Sequence, residues 1–195
     1  MKNFPKFALT ALLFAGFAFT SCEDDYVAPI PPKASIYDRL GGTIMVADPN
    51  NTGQMIEKGR LSYRTVVNKT IGYIVADITA GTQGNLSAHF APILAETGPT
   101  QQASIAALSD SLTDFFSFNT GGTNAVNTYS GRNMVVAHNP ATYARMGAKS
   151  NNTQYTRFVG FVGQSANDAG VATGTELYVD IVAVLESLRT SIVQI

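Results

Sequence analysis

TYSGRNMVVAH, Thr128 to His138, carries one of the two histidines of a 195-residue chain. That histidine follows a methionine, Met134, by four residues and a tyrosine, Tyr129, by nine. Val135 to His138 reads as a short helix ended near Asn139-Pro140, because the residue before a proline is pushed out of the helical region. A lone histidine in a helix is more often packing or surface than ligand, so the position alone decides nothing.

Outward from this stretch the chain is helical on both sides. Ser104 to Phe118 places Ile105, Leu108, Leu112, Phe115 and Phe116 on one side, and Gly121-Gly122 stops it. Leu61 to Ala80 repeats apolar residues at Val66, Val67, Ile71, Ile74 and Val75, and Gly81 to Asn85 breaks it. Thr153 to Ala169 is helical but dotted with glycine. Glu176 to Val193 is the clearest helix, with Leu177, Ile181, Val184, Leu185, Leu188 and Ile192 at spacings of three and four. Ala34 to Gly42 reads as a short helix stopped by paired glycines, and Thr43 to Gly59 as an irregular connection. No alternation marks a strand set and no repeat is present, so an all-α domain over 34–195 is expected.

Ahead of it, Lys2 and Lys6 precede an apolar run, Phe7 to Phe19, that is too short to span a bilayer. Phe19-Thr20-Ser21-Cys22 resembles a bacterial lipoprotein signal, in which residues 1–21 are removed and Cys22, the only cysteine, is lipidated. Glu23-Asp24-Asp25 resembles the surface-export tag of some Bacteroidetes lipoproteins. A plain secretory signal with an incidental cysteine is the alternative. The lipoprotein reading implies anchoring to the outer membrane, facing the periplasm or the cell surface. Residues 22–33, with the proline-rich VAPIPPK, then form an extended tether. Removing the signal leaves 11 basic against 14 acidic residues, a balance that offers nucleic acid no electrostatic footprint.

Two histidines, one cysteine and scattered acids argue against a dedicated zinc site, which wants three or four clustered ligands. No glycine-rich phosphate loop opens a helix, and the serine of GQSANDAG matches no nucleophile elbow. Haem iron is the one metal centre that needs a single protein ligand, because the porphyrin supplies four nitrogens.

The order of motifs resembles a group 1 truncated haemoglobin. SIYDRLGG is similar to that family's opening helix and first double glycine, and LTDFFSFNTGG to the paired phenylalanines before the second. TYSGRNMVVAH matches its tyrosine, glycine, methionine and proximal histidine, and TRFVGFVGQSANDAGV and ELYVDIVAVLESLRTSIV look like its last two helices. The resemblance covers roughly residues 35–194 and implies a two-over-two helical sandwich holding haem b. His138 would be the proximal iron ligand, oriented by carbonyls at its helix end. Tyr129, Met134, Val135, Phe116, Phe90 and Tyr155 would line the haem, Tyr129 and Gly131 also shaping the turn into the pocket.

The distal side departs from the family. Its usual tyrosine and glutamine donors fall on Ile71 and Leu112, with Leu108 one turn before, and all three are apolar. Tyr73 is two residues from the tyrosine position, a rotation of roughly 200°, and should face elsewhere. His89 stands either as a distal ligand beside Phe90 or as a solvated loop histidine. Met45 to Arg60 and Gly81 to Gln101 are insertions relative to the family pattern. Three functions stay open: binding a diatomic gas (oxygen, nitric oxide or carbon monoxide) with an electron donor as partner, handling haem itself at the cell surface, or a haem-free structural lipoprotein.

Overall fold

The computed structural model describes residues 32–195; the signal segment, Cys22 and most of the tether lie outside the described residues. Seven helices and one small hairpin follow in order among the described residues: α1 (Ile36–Arg39), β1 (Met45–Ala47), β2 (Met55–Glu57), α2 (Lys58–Thr79), α3 (Ala91–Leu94), α4 (Gly98–Asn119), α5 (Met134–Ala137), α6 (Asn152–Asp168) and α7 (Glu176–Ile192). The fold is therefore mostly helical. The long helices pack α2 on α4, α2 on α6, and α6 on α7, so α2 is the central element. None of the described helices is long and apolar enough to cross a membrane.

Helix starts are set locally. Asn151 and Gln154 form a reciprocal capping box at the head of α6. Thr175 accepts a hydrogen bond from the Tyr178 N–H at the head of α7, and Ser35 accepts one from Asp38 N–H at 3.0 Å in α1. Helix α4 begins six residues earlier than its apolar pattern, at a glycine-proline pair where proline costs no hydrogen bond.

One expectation is corrected. The supposed irregular connection contains the β1–β2 hairpin, antiparallel, with Val46 opposite Ile56. Strands of three residues are too short for alternation to show in sequence. What holds the hairpin loop is the Asp48 carboxylate, which accepts from Asn50 N–H at 2.8 Å, Asn51 Nδ2 at 2.9 Å and both terminal nitrogens of Arg64 at 2.5 and 3.1 Å. That bidentate guanidinium holds the Asp48 carboxyl far below the usual carboxylate range.

A buried polar knot joins α1, the end of β2 and the segment after α4. Tyr37, 1% exposed, lies against Gly59 and Gly122, where an added Cβ would come within 2.9 Å of its ring. Its hydroxyl donates to Glu57 at 2.5 Å, and Asn127 donates to both the Tyr37 oxygen at 3.0 Å and Glu57 at 2.8 Å. The second double glycine is thus a close-approach surface, with Gly121 at φ +111° supplying the turn.

Candidate functional site

Helix α5 is a single turn, so its exposed carbonyls all need partners from outside it. Met134 O accepts the His138 backbone N–H at 3.1 Å and faces His138 Nδ1 at 2.9 Å. Val135 O accepts from Gln194 Nε2 at 2.8 Å, and Val136 O from Thr142 Oγ1 at 2.9 Å. Asn133 caps the other end by accepting from Val135 N–H at 2.9 Å. Three of these contacts hold the α5 backbone, and the Met134 carbonyl holds the imidazole. A carbonyl can only accept, so Nδ1 carries the proton and the Nε2 lone pair is left over. Nε2 has no hydrogen-bond partner among the described residues. Burial lowers the His138 pKa, with the Met134 carbonyl pulling weakly the other way, so the ring is neutral and available as a ligand.

His138 lines a cleft of about 770 Å³ between α4 and the chain from 129 to 146. Phe90, Leu108, Leu112, Phe115 and Met146 give it apolar walls, and Tyr129 closes one end. Two arginines stand in the lining: Arg132, whose guanidinium lies 4.4 Å over the Tyr143 ring, and Arg145, paired with Glu96 at 3.3 Å. A cleft in the ~300–1,000 Å³ range with few polar groups is the usual form of a small-molecule or cofactor site. Among the described residues no cluster of three or more His, Cys, Asp or Glu could hold a bare metal ion. A metal in this cleft would have to bring its other ligands with it.

Of the residues singled out from sequence, His138, Tyr129, Phe90, Leu108 and Leu112 come together here. Five stand outside the cleft. Ile71 lines a separate cavity of about 140 Å³ that shares Phe90, Ile93 and Leu108 with it. Phe116 lines a void of about 30 Å³ behind Leu112, beside Tyr63. Tyr155 is 3% exposed and donates to Leu185 O at 2.6 Å, a packing role between α6 and α7. Val135 is 48% exposed, because a one-turn helix on the surface turns one side to solvent. Met134 contributes its carbonyl and does not line the cleft.

The distal alternatives resolve by contact. Tyr73 turns away, donating to Asp168 and stacking on Phe161, as its 200° offset requires. His89 is no solvated loop residue: it is 6% exposed, with Nδ1 against Ala148 O at 2.6 Å and Nε2 against Ser150 Oγ at 2.6 Å. Both nitrogens are taken, so His89 has no lone pair for a metal without breaking that lock. Phe115, Arg132, Arg145 and Met146 were missed as lining residues. Arg132 could have been suspected from its place inside the opening stretch, whereas Arg145 and Met146 lie in an irregular segment with no period to read. No protein family, no curated protein and no solved structure matches this chain, so the reading of the cleft rests on its own residues.

Proposed function

We propose that this chain is a lipid-anchored haem protein of the truncated-globin type, with α2 and α4 over α6 and α7 as a two-over-two sandwich. Haem b lies in the cleft between α4 and α5, and the ligand is a diatomic gas. One observation carries the reading: a neutral imidazole with Nδ1 committed to a carbonyl and Nε2 uncommitted, in a largely apolar cleft of cofactor size. The residues fit the group. His138 supplies one nitrogen, Leu108, Leu112 and Phe115 supply apolar walls, and Arg132 supplies charge for a propionate, Arg145 being already paired with Glu96. A haem held there by His138 would supply an iron able to bind a diatomic gas.

What the chain itself does follows from its side chains. His138 orients the group through the Met134 carbonyl, a second-sphere contact that also raises the basicity of Nε2. Leu108 and Leu112 exclude water and donate no hydrogen bond. A dioxygen beside these two leucines would receive no charge-assisted hydrogen bond from them, a bond worth about 1.5–3 kcal/mol, although Ser104 and Ser111 of α4 also line the cleft; carbon monoxide and nitric oxide would lose less. Gas or redox sensing and nitric oxide chemistry, with an electron donor to keep iron ferrous, follow more readily than oxygen storage.

Adding haem to the purified chain tests this. A sharp Soret band with slow haem loss, abolished in His138→Ala and restored by imidazole, is the expected result. Rapid loss to an apo-globin acceptor would make the chain a haem carrier, and no band would leave a haem-free lipoprotein. The anchor has its own test: wild type should partition with membranes, and Cys22→Ser should lose the acyl chain.

A further inference from the structure

Aromatic rings run without a break from the cleft to the buried polar knot. Tyr129 and Phe115, both in the cleft lining, meet edge to face with centroids 5.2 Å apart. Phe115 meets Phe116 at 5.3 Å, Phe116 stacks on Tyr63 at 6.0 Å, and Tyr63 stacks on Tyr37 at 6.4 Å. The tyrosines along this line differ in what their hydroxyls touch. Tyr129 donates to the Arg132 carbonyl at 3.1 Å, and Tyr63 pairs with the Thr120 hydroxyl at 2.6 Å. Neither partner can take up a proton near neutral pH. Tyr37 alone of the three donates to a carboxylate, Glu57.

That difference matters because removing an electron from a phenol makes it a strong acid, so oxidation is easy only where the proton has somewhere to go. Burial pushes the Glu57 carboxyl up, but hydrogen bonds from Tyr37, Asn124 and Asn127 bring it below its ordinary value, so it is ionised and able to accept. Asn127, fully buried, donates to the Tyr37 oxygen as well and would hold a radical oxygen in place.

We propose that Tyr37 is a redox-active tyrosine, the terminus of an aromatic path that carries an oxidising equivalent out of the cleft. In the step, Tyr37 loses one electron along the path to an oxidant in the cleft and its phenolic proton to Glu57 Oε2. The products are a neutral tyrosyl radical, a protonated Glu57 and an oxidant reduced by one electron. With haem in place, the oxidant class is a hydroperoxide. Its reduction to an alcohol and water, or that of hydrogen peroxide to two waters, would take two protons from solvent and two electrons, one from Tyr37 and the other from the bound group. This part rests on the haem reading; the Tyr37–Glu57 chemistry does not.

Two arms separate them. The first uses the full-length haem-free chain with Tyr26, Tyr73, Tyr143 and Tyr178 changed to Phe, and photogenerated tris(bipyridine)ruthenium(III) as the one-electron oxidant. Freeze-quenched paramagnetic resonance should show a tyrosyl signal. 3-Fluorotyrosine placed at position 37 should split that signal, and the same label at 63 or 129 should not, which locates the radical without disturbing the fold. Tyr37→Phe should lower the yield at least tenfold. Glu57→Gln should slow formation by a similar factor, and Tyr129→Phe should slow it less. No radical, or one whose splitting is indifferent to the label at 37, overturns the proposal. The second arm adds hydrogen peroxide to the haem-loaded chain and looks for the same split signal. A chain that shows no Soret band fails the haem reading while the first arm still decides Tyr37. A Soret band with peroxide consumption and no Tyr37 radical overturns the path from the cleft.

Discussion

The two histidines of this chain are held in opposite ways. Each has one ring nitrogen against a backbone carbonyl, Ala148 O for His89 and Met134 O for His138. Both have pKa values lowered first by burial. The other nitrogen separates them. His89 Nε2 is closed off by Ser150 Oγ, 61 residues away in sequence, whereas His138 Nε2 meets no protein partner among the described residues. His89 is consequently a clamp between the segment after α2 and the segment before α6, reinforced by the Gly147 N–H to His89 O bond at 2.8 Å. His138 leaves one ring nitrogen without a protein partner among the described residues, as the proposed ligand role requires. Burial and residue type do not separate the two histidines; the count of satisfied nitrogens does.

Exchanging their fates is the strongest way to break this contrast. His138→Ala should abolish stable haem uptake while leaving the melting temperature of the haem-free chain nearly unchanged. His89→Ala should do the reverse, costing about 1–3 kcal/mol for each buried partner left unsatisfied, read by urea denaturation, with the Soret band kept where the protein is folded. Unchanged haem affinity in His138→Ala would sink the assignment.

The next effect sharpens the cleft side. Leu112 lines the cleft and Ile71 does not. Leu112→Gln should therefore slow oxygen dissociation by about one to two orders of magnitude, the worth of a charge-assisted hydrogen bond, with carbon monoxide release changing much less. Ile71→Tyr, at the family's donor position, should leave oxygen release near the wild-type rate. Stopped-flow release kinetics on the two variants decide between the cleft seen here and the family register.

A smaller effect concerns pH. The His89 pKa is lowered below its ordinary 6.5, chiefly by burial and then by repulsion from His138 where that ring is protonated. As pH falls, the unfolded chain takes the proton first, so this stabilising contribution is complete above about 6.5 and is lost as pH drops through the folded value. Denaturation midpoints should fall from pH 7.5 to 5.5 in wild type and fall less in His89→Asn, which keeps a donor for Ala148 O but cannot titrate. Equal slopes would mean the lock does not depend on the neutral ring. Smallest of all, Val135→Ala should shift stability by no more than about 0.5 kcal/mol and leave haem affinity unchanged, because the side chain faces solvent.

Much of the architecture could be read in advance because it is local. The periods of α2, α4 and α7 announce themselves, α6 reads as a glycine-dotted helix without a clear period, and the apolar spacing of α7 predicts its limits to within a residue. Asn139-Pro140 ends α5, which leaves His138 as its cap with a carbonyl one turn back for Nδ1. Those features depend on atoms within four residues of each other, so spacing alone specifies them.

Tertiary contact settled the rest. Which residues face the cleft depends on helix rotation, and one residue of misregister turns a side chain by about 100°, enough to move Ile71 and Phe116 into neighbouring cavities. The lock on His89, the Asp48 hold on the hairpin and the Tyr37–Glu57–Asn127 knot join residues 16 to 90 positions apart. No period records such pairs, because each exists only once the chain has closed its loops and buried the polar groups that must then find one another.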